Sequence, residues 1–363
     1  MGENQNLYEK NFLIKHSKKD SEVDEKLKDE FGERWSKYRQ LWSDLTFFKV
    51  ETKFPTYVLF EFSSACNLKC PMCNFGAQDK SLRKPYNGVM NFKTFTKICD
   101  ELNTHECPAV KLSGNNEPLI YPDLFKRIDY LKKHTRVMDI IMSTNGLLLD
   151  KNIVSRLLDN PITKLCISID AASKETYEKI RIGSDFHRVK NNILNLLEER
   201  EKRNSKFPII RLSFLEMDSN AHEVEPFIKF WIDKVDYIDI QCYRPLLNTG
   251  EFKKLDLKDE AKKEKFSNAN SNVDNRCSIP FERVMITGDG SVLLCCEFYR
   301  KELIFGNIIE DSIYTIWNSR KTKNFREMHK IGNDESQKHP VCGPCLLNTY
   351  GESYLMQLNK ITS

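Results

Sequence analysis

The sequence predicts an α/β protein built on a barrel of parallel strands, with a smaller cysteine-bearing module behind it. Three observations carry that prediction. Six short apolar runs, at 57–62, 109–112, 139–142, 165–169, 209–214 and 237–240, alternate with segments of helical periodicity. Nearly every run ends in polar or cysteine-bearing residues, as a ligand-binding rim at the carboxyl ends of parallel strands requires. Beyond residue 277 the strand-then-helix rhythm gives way to a hairpin signal and a cluster of cysteines.

Each segment follows from its pattern. Residues 1–54 form a helical N-terminal extension, in which Phe31, Trp35, Tyr38 and Trp42 recur every three or four positions and so share one face. Residues 55–245 are the barrel. Between its strands, Phe95, Ile98, Cys99 and Leu102 make one apolar helix stripe, and Val189, Ile193, Leu196 and Leu197 make another. Residues 246–276 are charged and Asn-rich, a linker with one helix expected at 256–266. Residues 277–363 form the second module: 283–286 and 292–295 flank TGDGS as a hairpin, and a helix is expected over 312–328 with Ile316 and Trp317 on it.

Composition excludes several classes. The 363 residues carry 56 basic and 52 acidic side chains, a net charge of +4, so nothing calls for a nucleic-acid or membrane-surface partner. No apolar run approaches the ~18 to 20 residues of a membrane helix, and the first eleven residues lack the apolar region of a secretory signal. The expected location is the cytoplasm. There, twelve cysteines point to metal or catalysis rather than a disulfide framework.

Cys66, Cys70 and Cys73 are spaced C-x3-C-x2-C on the loop leaving the first strand. Three adjacent thiolates can hold three irons of a [4Fe-4S] cluster and leave the fourth without a protein ligand. Three core cysteines, or zinc with a distant fourth ligand, satisfy the same spacing. The run SGNNEP at 113–118, STNG at 143–146 and ISID at 167–170 follow the next three strands in order, with Ser173, Tyr177 and Arg181 behind the last. With these four motifs the chain resembles the radical S-adenosylmethionine (SAM) superfamily. That resemblance implies a partial (β/α)6 barrel, a cluster on Cys66, Cys70 and Cys73, and SAM on the unique iron. It further implies SAM contacts from Met72, Asn115, Asn116, Glu117, Ser143, Asn145, Ser168, Asp170 and Arg181. Two positions depart from the family pattern. Asn115 and Asn116 replace glycine, a change that asparagine's tolerance of unusual backbone angles accommodates, and Met72 stands where many members have an aromatic residue. Asp170 and Ser173 also read as an ordinary helix N-terminus.

A second set, Cys277, Cys295, Cys342 and Cys345, lies in the tail, with Gly290 five positions before Cys295. Four thiolates suit zinc and [4Fe-4S] equally. The arrangement resembles the shortened SPASM domain called twitch, which implies one auxiliary [4Fe-4S] cluster fully ligated by protein. Of the remaining cysteines, Cys99 and Cys166 sit on apolar stripes and read as core, as does Cys107, while Cys242 and Cys296 are alternate ligands or core. His329 and His339 read as solvated surface histidines.

A radical generator beside a fully ligated cluster implies hydrogen abstraction with net oxidation. The resemblance is greatest to enzymes that dehydrogenate or epimerise aminocyclitols and sugars, which makes a carbohydrate-like alcohol the expected substrate. A maturase of ribosomally made peptides is the alternative, and a non-catalytic electron-transfer or scaffold protein the third reading. Glu297 and Arg244 are the candidate substrate contacts. A flavodoxin or ferredoxin is the expected electron donor.

Overall fold

A computed structural model of the chain describes residues 13–16, 20–73, 88–242, 276–295, 301–331 and 334–343. Their strands form one ten-stranded sheet. Strand β1 is Leu13–His16; helices α1 (Asp20–Phe31) and α2 (Glu33–Thr46) follow, then β2 (Tyr57–Phe60), α3 (Phe92–Thr104), β3 (Ala109–Lys111) and α4 (Leu124–His134). Next come β4 (Asp139–Thr144), α5 (Lys151–Asp159), β5 (Lys164–Ser168), α6 (Lys174–Ile180), α7 (Phe186–Lys202), β6 (Ile209–Glu216), α8 (Val224–Trp231) and β7 (Tyr237–Cys242). The C-terminal module contributes α9 (Ile279–Glu282), β8 (Arg283–Ile286), β9 (Ser291–Leu293), β10 (Ile304–Asn307), α10 (Ile313–Asn318), α11 (Arg320–Ile331) and α12 (Asp334–Lys338).

The six expected strands, β2 to β7, lie side by side in chain order, each parallel to the next. The sheet continues past both ends of this set. β1 pairs antiparallel with β7, a strand inside an extension that its sequence marks only as helical. β8 pairs in parallel with β2 and carries the hairpin β8–β9 onto the same sheet. The second module is therefore built on the edge of the barrel. Trp317 Nε1 donates to the Thr52 carbonyl at 2.8 Å, tying that module to the extension as well. The helix expected over 312–328 is two helices, because Ser319 adopts an extended backbone between α10 and α11.

The two faces of the sheet bury different chemistry. Alternate strand residues share a face. On the outer face Phe60 meets Phe95 of α3, with ring centroids 5.5 Å apart, and Phe214 meets Phe227 of α8 at 5.0 Å. The inner face is polar near the strand starts: Lys164 pairs with Asp139 at 2.8 Å and Arg211 with Asp239 at 2.9 Å. The aromatic face of α2 closes this end. Lys164 Nζ lies 4.8 Å from the Trp35 ring, Arg283 lies 4.9 Å from Trp42, and Trp42 meets Tyr57 edge-on at 5.7 Å. The extension thus plugs the barrel opposite its ligand-binding rim, with the stripe that the sequence places on one helix face.

Candidate functional site

Cys66, Cys70 and Cys73 lie on the loop after β2, and each thiol is close enough to the others to feel their charge. Cys66 is exposed, Cys70 buried and Cys73 partly buried. Local bonds shape the loop: Leu68 N–H points to Cys66 Sγ at 3.5 Å, Cys73 N–H donates to the Cys70 carbonyl at 3.1 Å, and Lys69 N–H donates to the Ile182 carbonyl at 2.9 Å. Burial raises the Cys66 thiol and pushes Cys70 up to about 11, with Arg181 opposing the latter shift. Among the described residues no three Cys, His, Asp or Glu side chains converge as a ready-made metal centre. The donor set still fits a cluster, because three mutually interacting thiols share one loop and a cation supplies the charge that would stabilise their thiolates.

Three strand exits close around that loop. Asp170, just past β5, holds φ at 54°, in the left-handed region. Its carboxylate accepts Leu215 N–H at 2.7 Å and pairs with Arg181, whose Nη1 lies 4.0 Å from Cys70 Sγ. Burial raises Asp170 against the pull of Arg181. For Arg181, burial opposes the charge, but Asp170 and Cys70 outweigh it and hold the group above its ordinary value. Ser173 is the N-cap of α6, accepting Thr176 N–H at 3.3 Å, the helix start that the sequence allows there, whereas Asp170 is engaged in the ion pair instead.

Glu117, past β3, ties two exits together. It accepts Thr144 Oγ1–H at 2.7 Å, Asn145 N–H at 2.7 Å and Leu119 N–H at 3.2 Å, while its own N–H donates to the Ala65 carbonyl at 3.0 Å, beside Cys66. Asn145 Nδ2 in turn donates to Asn67 Oδ1 at 2.7 Å. Ser143 N–H donates to Ser113 Oγ at 2.9 Å, and Ser168 ends β5 opposite Ser213. The turn at Asn115 and Asn116 does not use left-handed backbone; instead Asn116 Oδ1 accepts Gly114 N–H at 2.9 Å. The side-chain amide nitrogens of Asn115 and Asn116 are buried and have no partner among the described residues, donors suited to a polar ligand. Met72 packs with Leu68, Cys70, Ile180 and Met217 in a small apolar cluster apart from the main core.

One carboxylate at this site went unmarked in the sequence. Glu61 is fully buried, accepts Asn115 N–H at 2.9 Å and Ser64 O–H at 3.1 Å, and is pushed by burial up to about 8. It also fills the space beside Gly114, where a Cβ would stand 2.6 Å from Glu61 Oε2. A lone Glu inside the apolar run 57–62 was the available signal.

In the second module Cys295 follows β9, and Cys277 and Cys342 are likewise partly buried. Gly290 takes φ 86° in the β8–β9 turn, and a Cβ there would stand 2.6 Å from Asn307 Oδ1. His339 Nδ1 accepts the N–H groups of Cys342 at 3.1 Å and Val341 at 3.3 Å. His329 is buried, at 1% exposure, which corrects its reading as a surface residue. Cys99, Cys107 and Cys166 are all buried. Arg244, Glu297, Cys345, Cys296 and the linker 246–275 lie outside the described residues.

Comparison with known proteins agrees with this layout. A family model of the radical SAM superfamily matches residues 60–209, and one of an iron-sulfur cluster-binding domain, SPASM, matches 277–346; together they take in more than half of the chain. A probable GTP 3′,8-cyclase of Methanococcus maripaludis is 27% identical over 165 residues, 46% of this chain and 51% of that protein. The chain thus spans about half the length of the curated relatives it matches first. In fold it is similar to BtrN, solved in complex with AdoMet and 2-DOIA (TM-score 0.51, 18% identity, 81% of this chain and 93% of that one). It is similar also to Streptococcus suis SuiB bound to precursor peptide SuiA (TM-score 0.58, 14% identity, 90% and 77%).

Proposed function

Because the chain belongs to the radical SAM superfamily and carries an iron-sulfur cluster-binding SPASM domain, we propose that it is an oxidoreductase that dehydrogenates or epimerises a carbohydrate or aminocyclitol-like alcohol. When bound at Cys66, Cys70 and Cys73, a [4Fe-4S] cluster with SAM would supply radical chemistry for abstracting hydrogen at a substrate C–H, and an auxiliary [4Fe-4S] cluster in the second module would supply a site for the second electron.

The chain's own residues have distinct tasks. Cys66, Cys70 and Cys73 hold the first cluster, and Arg181, fixed by Asp170, keeps positive charge 4.0 Å from the Cys70 sulfur. Glu117 anchors the edge 113–117 to the exit of β4, so that Asn115, Asn116, Ser143 and Asn145 present a fixed polar rim to SAM. Ser168 and Asp170 lie at the neighbouring exit, and Met72 adds an apolar wall that excludes water. Cys277, Cys295, Cys342 and Cys345 hold the auxiliary cluster. Arg244 and Glu297 meet the substrate. A flavodoxin or ferredoxin of the cytoplasm serves as electron donor. Among the described residues no helix is long and apolar enough to cross a membrane.

The observation that carries this reading is the linkage of three strand exits around one three-cysteine loop, on a sheet that also bears the second cysteine module. The substrate class rests on the second module, since an electron acceptor suits net oxidation of an alcohol, and on likeness to BtrN in complex with 2-DOIA. The test is anaerobic turnover with SAM, reductant and a pool of carbon-deuterated sugars, polyols and aminocyclitols. Deuterium in 5′-deoxyadenosine is the expected result. SAM cleavage with deuterium arriving only from a labelled peptide overturns the substrate class in favour of a peptide maturase. Fully loaded protein that makes no 5′-deoxyadenosine overturns the enzyme reading.

A further inference from the structure

His329 is the least explained polar side chain of the second module. It lies on α11, is buried to 1% exposure, and neither ring nitrogen has a hydrogen-bond partner among the described residues. Leaving a buried imidazole with both nitrogens idle forfeits the hydrogen bonds it would make in water, so such a group points to a missing partner. Burial, with His339 adding to it, lowers the ring to about 4, so it is neutral near pH 7 and carries one N–H.

Its surroundings say where that partner belongs. One turn before it on the same helix, Arg326 Nε donates to the Pro280 carbonyl at 2.9 Å, which places this stretch of α11 against the segment that begins at Cys277. Phe325, next to Arg326 on the same helix, has its ring centroid 4.7 Å from that of His329 and 5.6 Å from that of His339. His339 is the residue that accepts the backbone N–H of Cys342. The helix face that carries His329 thus contacts, through Arg326 and Phe325, the chain segments that bring Cys277 and Cys342 into the module. His339 has its Nδ1 committed to those backbone groups, whereas His329 has nothing committed.

We propose that His329 donates its ring N–H to a sulfur of the auxiliary iron-sulfur cluster and thereby raises that cluster's reduction potential. The inference rests on the auxiliary-cluster reading above. A hydrogen bond to sulfur stabilises the reduced, more negative cluster, so its loss makes the cluster a poorer electron acceptor. His329 is a positioning and tuning group here and holds no iron.

The test uses the full chain, loaded anaerobically with iron and sulfide, as wild type, His329→Leu and His329→Gln. Iron content is read first, then the midpoint potential of the auxiliary cluster by EPR-monitored titration. Pulsed EPR then reads nitrogen couplings on wild-type protein labelled with 15N-histidine. Expected are equal iron in all three proteins, a histidine nitrogen coupling present in wild type and lost in both variants, and a lower midpoint in His329→Leu that His329→Gln restores in part. Equal iron with unchanged midpoints and no histidine coupling overturns the proposal while leaving the cluster reading intact. Wild-type protein that loads a single cluster overturns the cluster reading itself. The labelled wild type needs no substitution, so a variant that fails to fold still leaves the proposal decided.

Discussion

Asp170 and Arg181 form a buried ion pair at the exit of β5, and Asp170 holds it from a left-handed backbone conformation at φ 54°. Both side chains are largely shielded, and the Arg181 guanidinium reaches within 4.0 Å of Cys70 Sγ. Removing one member of such a pair leaves an unpaired buried charge, which costs about 3–5 kcal/mol. Asp170→Asn keeps the shape and a side chain tolerant of this backbone, so its defect isolates the charge. The expected outcome is a lower urea midpoint and weaker SAM binding, checked by denaturation and calorimetry of the loaded protein. An unchanged midpoint contradicts the structural role of the pair.

Glu117 accepts three hydrogen bonds, from Thr144, Asn145 and Leu119, at a buried site. Glu117→Gln replaces one acceptor by an amide donor facing other donors, a loss of about 1–3 kcal/mol. Because the same carboxylate positions the 113–117 edge, SAM affinity falls with it. Isothermal titration of the loaded variant with SAM reads that effect separately from stability.

Glu61 gives a signature in pH. Burial pushes it up to about 8 from an ordinary value of 4.5. The folded protein therefore keeps this proton where the unfolded chain has released it. Its contribution to stability is complete below about pH 4.5 and is lost as pH rises to 8. Glu61→Gln has no proton to release, so the stability of wild type relative to the variant declines over that interval. Urea unfolding across the interval measures it, and a constant difference contradicts the raised value.

Trp35 plugs the barrel. It is 2% exposed, donates from Nε1 to Asp24 at 3.2 Å and covers Lys164. Trp35→Ala opens a cavity beside a buried cation, and the expected cost is about 3–5 kcal/mol, read as a lower thermal midpoint with the cysteine loop untouched.

Sequence patterns reached the six barrel strands because their apolar runs are unbroken on the helix-facing side, as with Val58 and Phe60 or Leu165 and Ile167. They missed what depends on distant partners. Lys164, Arg211 and Asp239 look like exposed strand positions, yet they pair on the inner side of the sheet, Lys164 with Asp139 beneath Trp35 of α2 and Arg211 with Asp239. Strand β1 has no signal of its own and exists through pairing with β7. His329 stands among charged neighbours in a polar helix, so only the packing of Phe325 and His339 around it reveals its burial. At the rim the motif residues were legible by order, whereas Glu61 and Asn67, which bind them together, were not.

Iron content coupled to SAM cleavage tests the two-cluster radical chemistry most directly. Anaerobically loaded wild type is expected to hold about eight irons, two clusters of four, and to produce 5′-deoxyadenosine with reductant. The triple substitution Cys66→Ala, Cys70→Ala, Cys73→Ala is expected to hold about four irons, one such cluster, and to produce none. A triple variant that keeps the full iron complement or still cleaves SAM contradicts the assignment of radical generation to this loop.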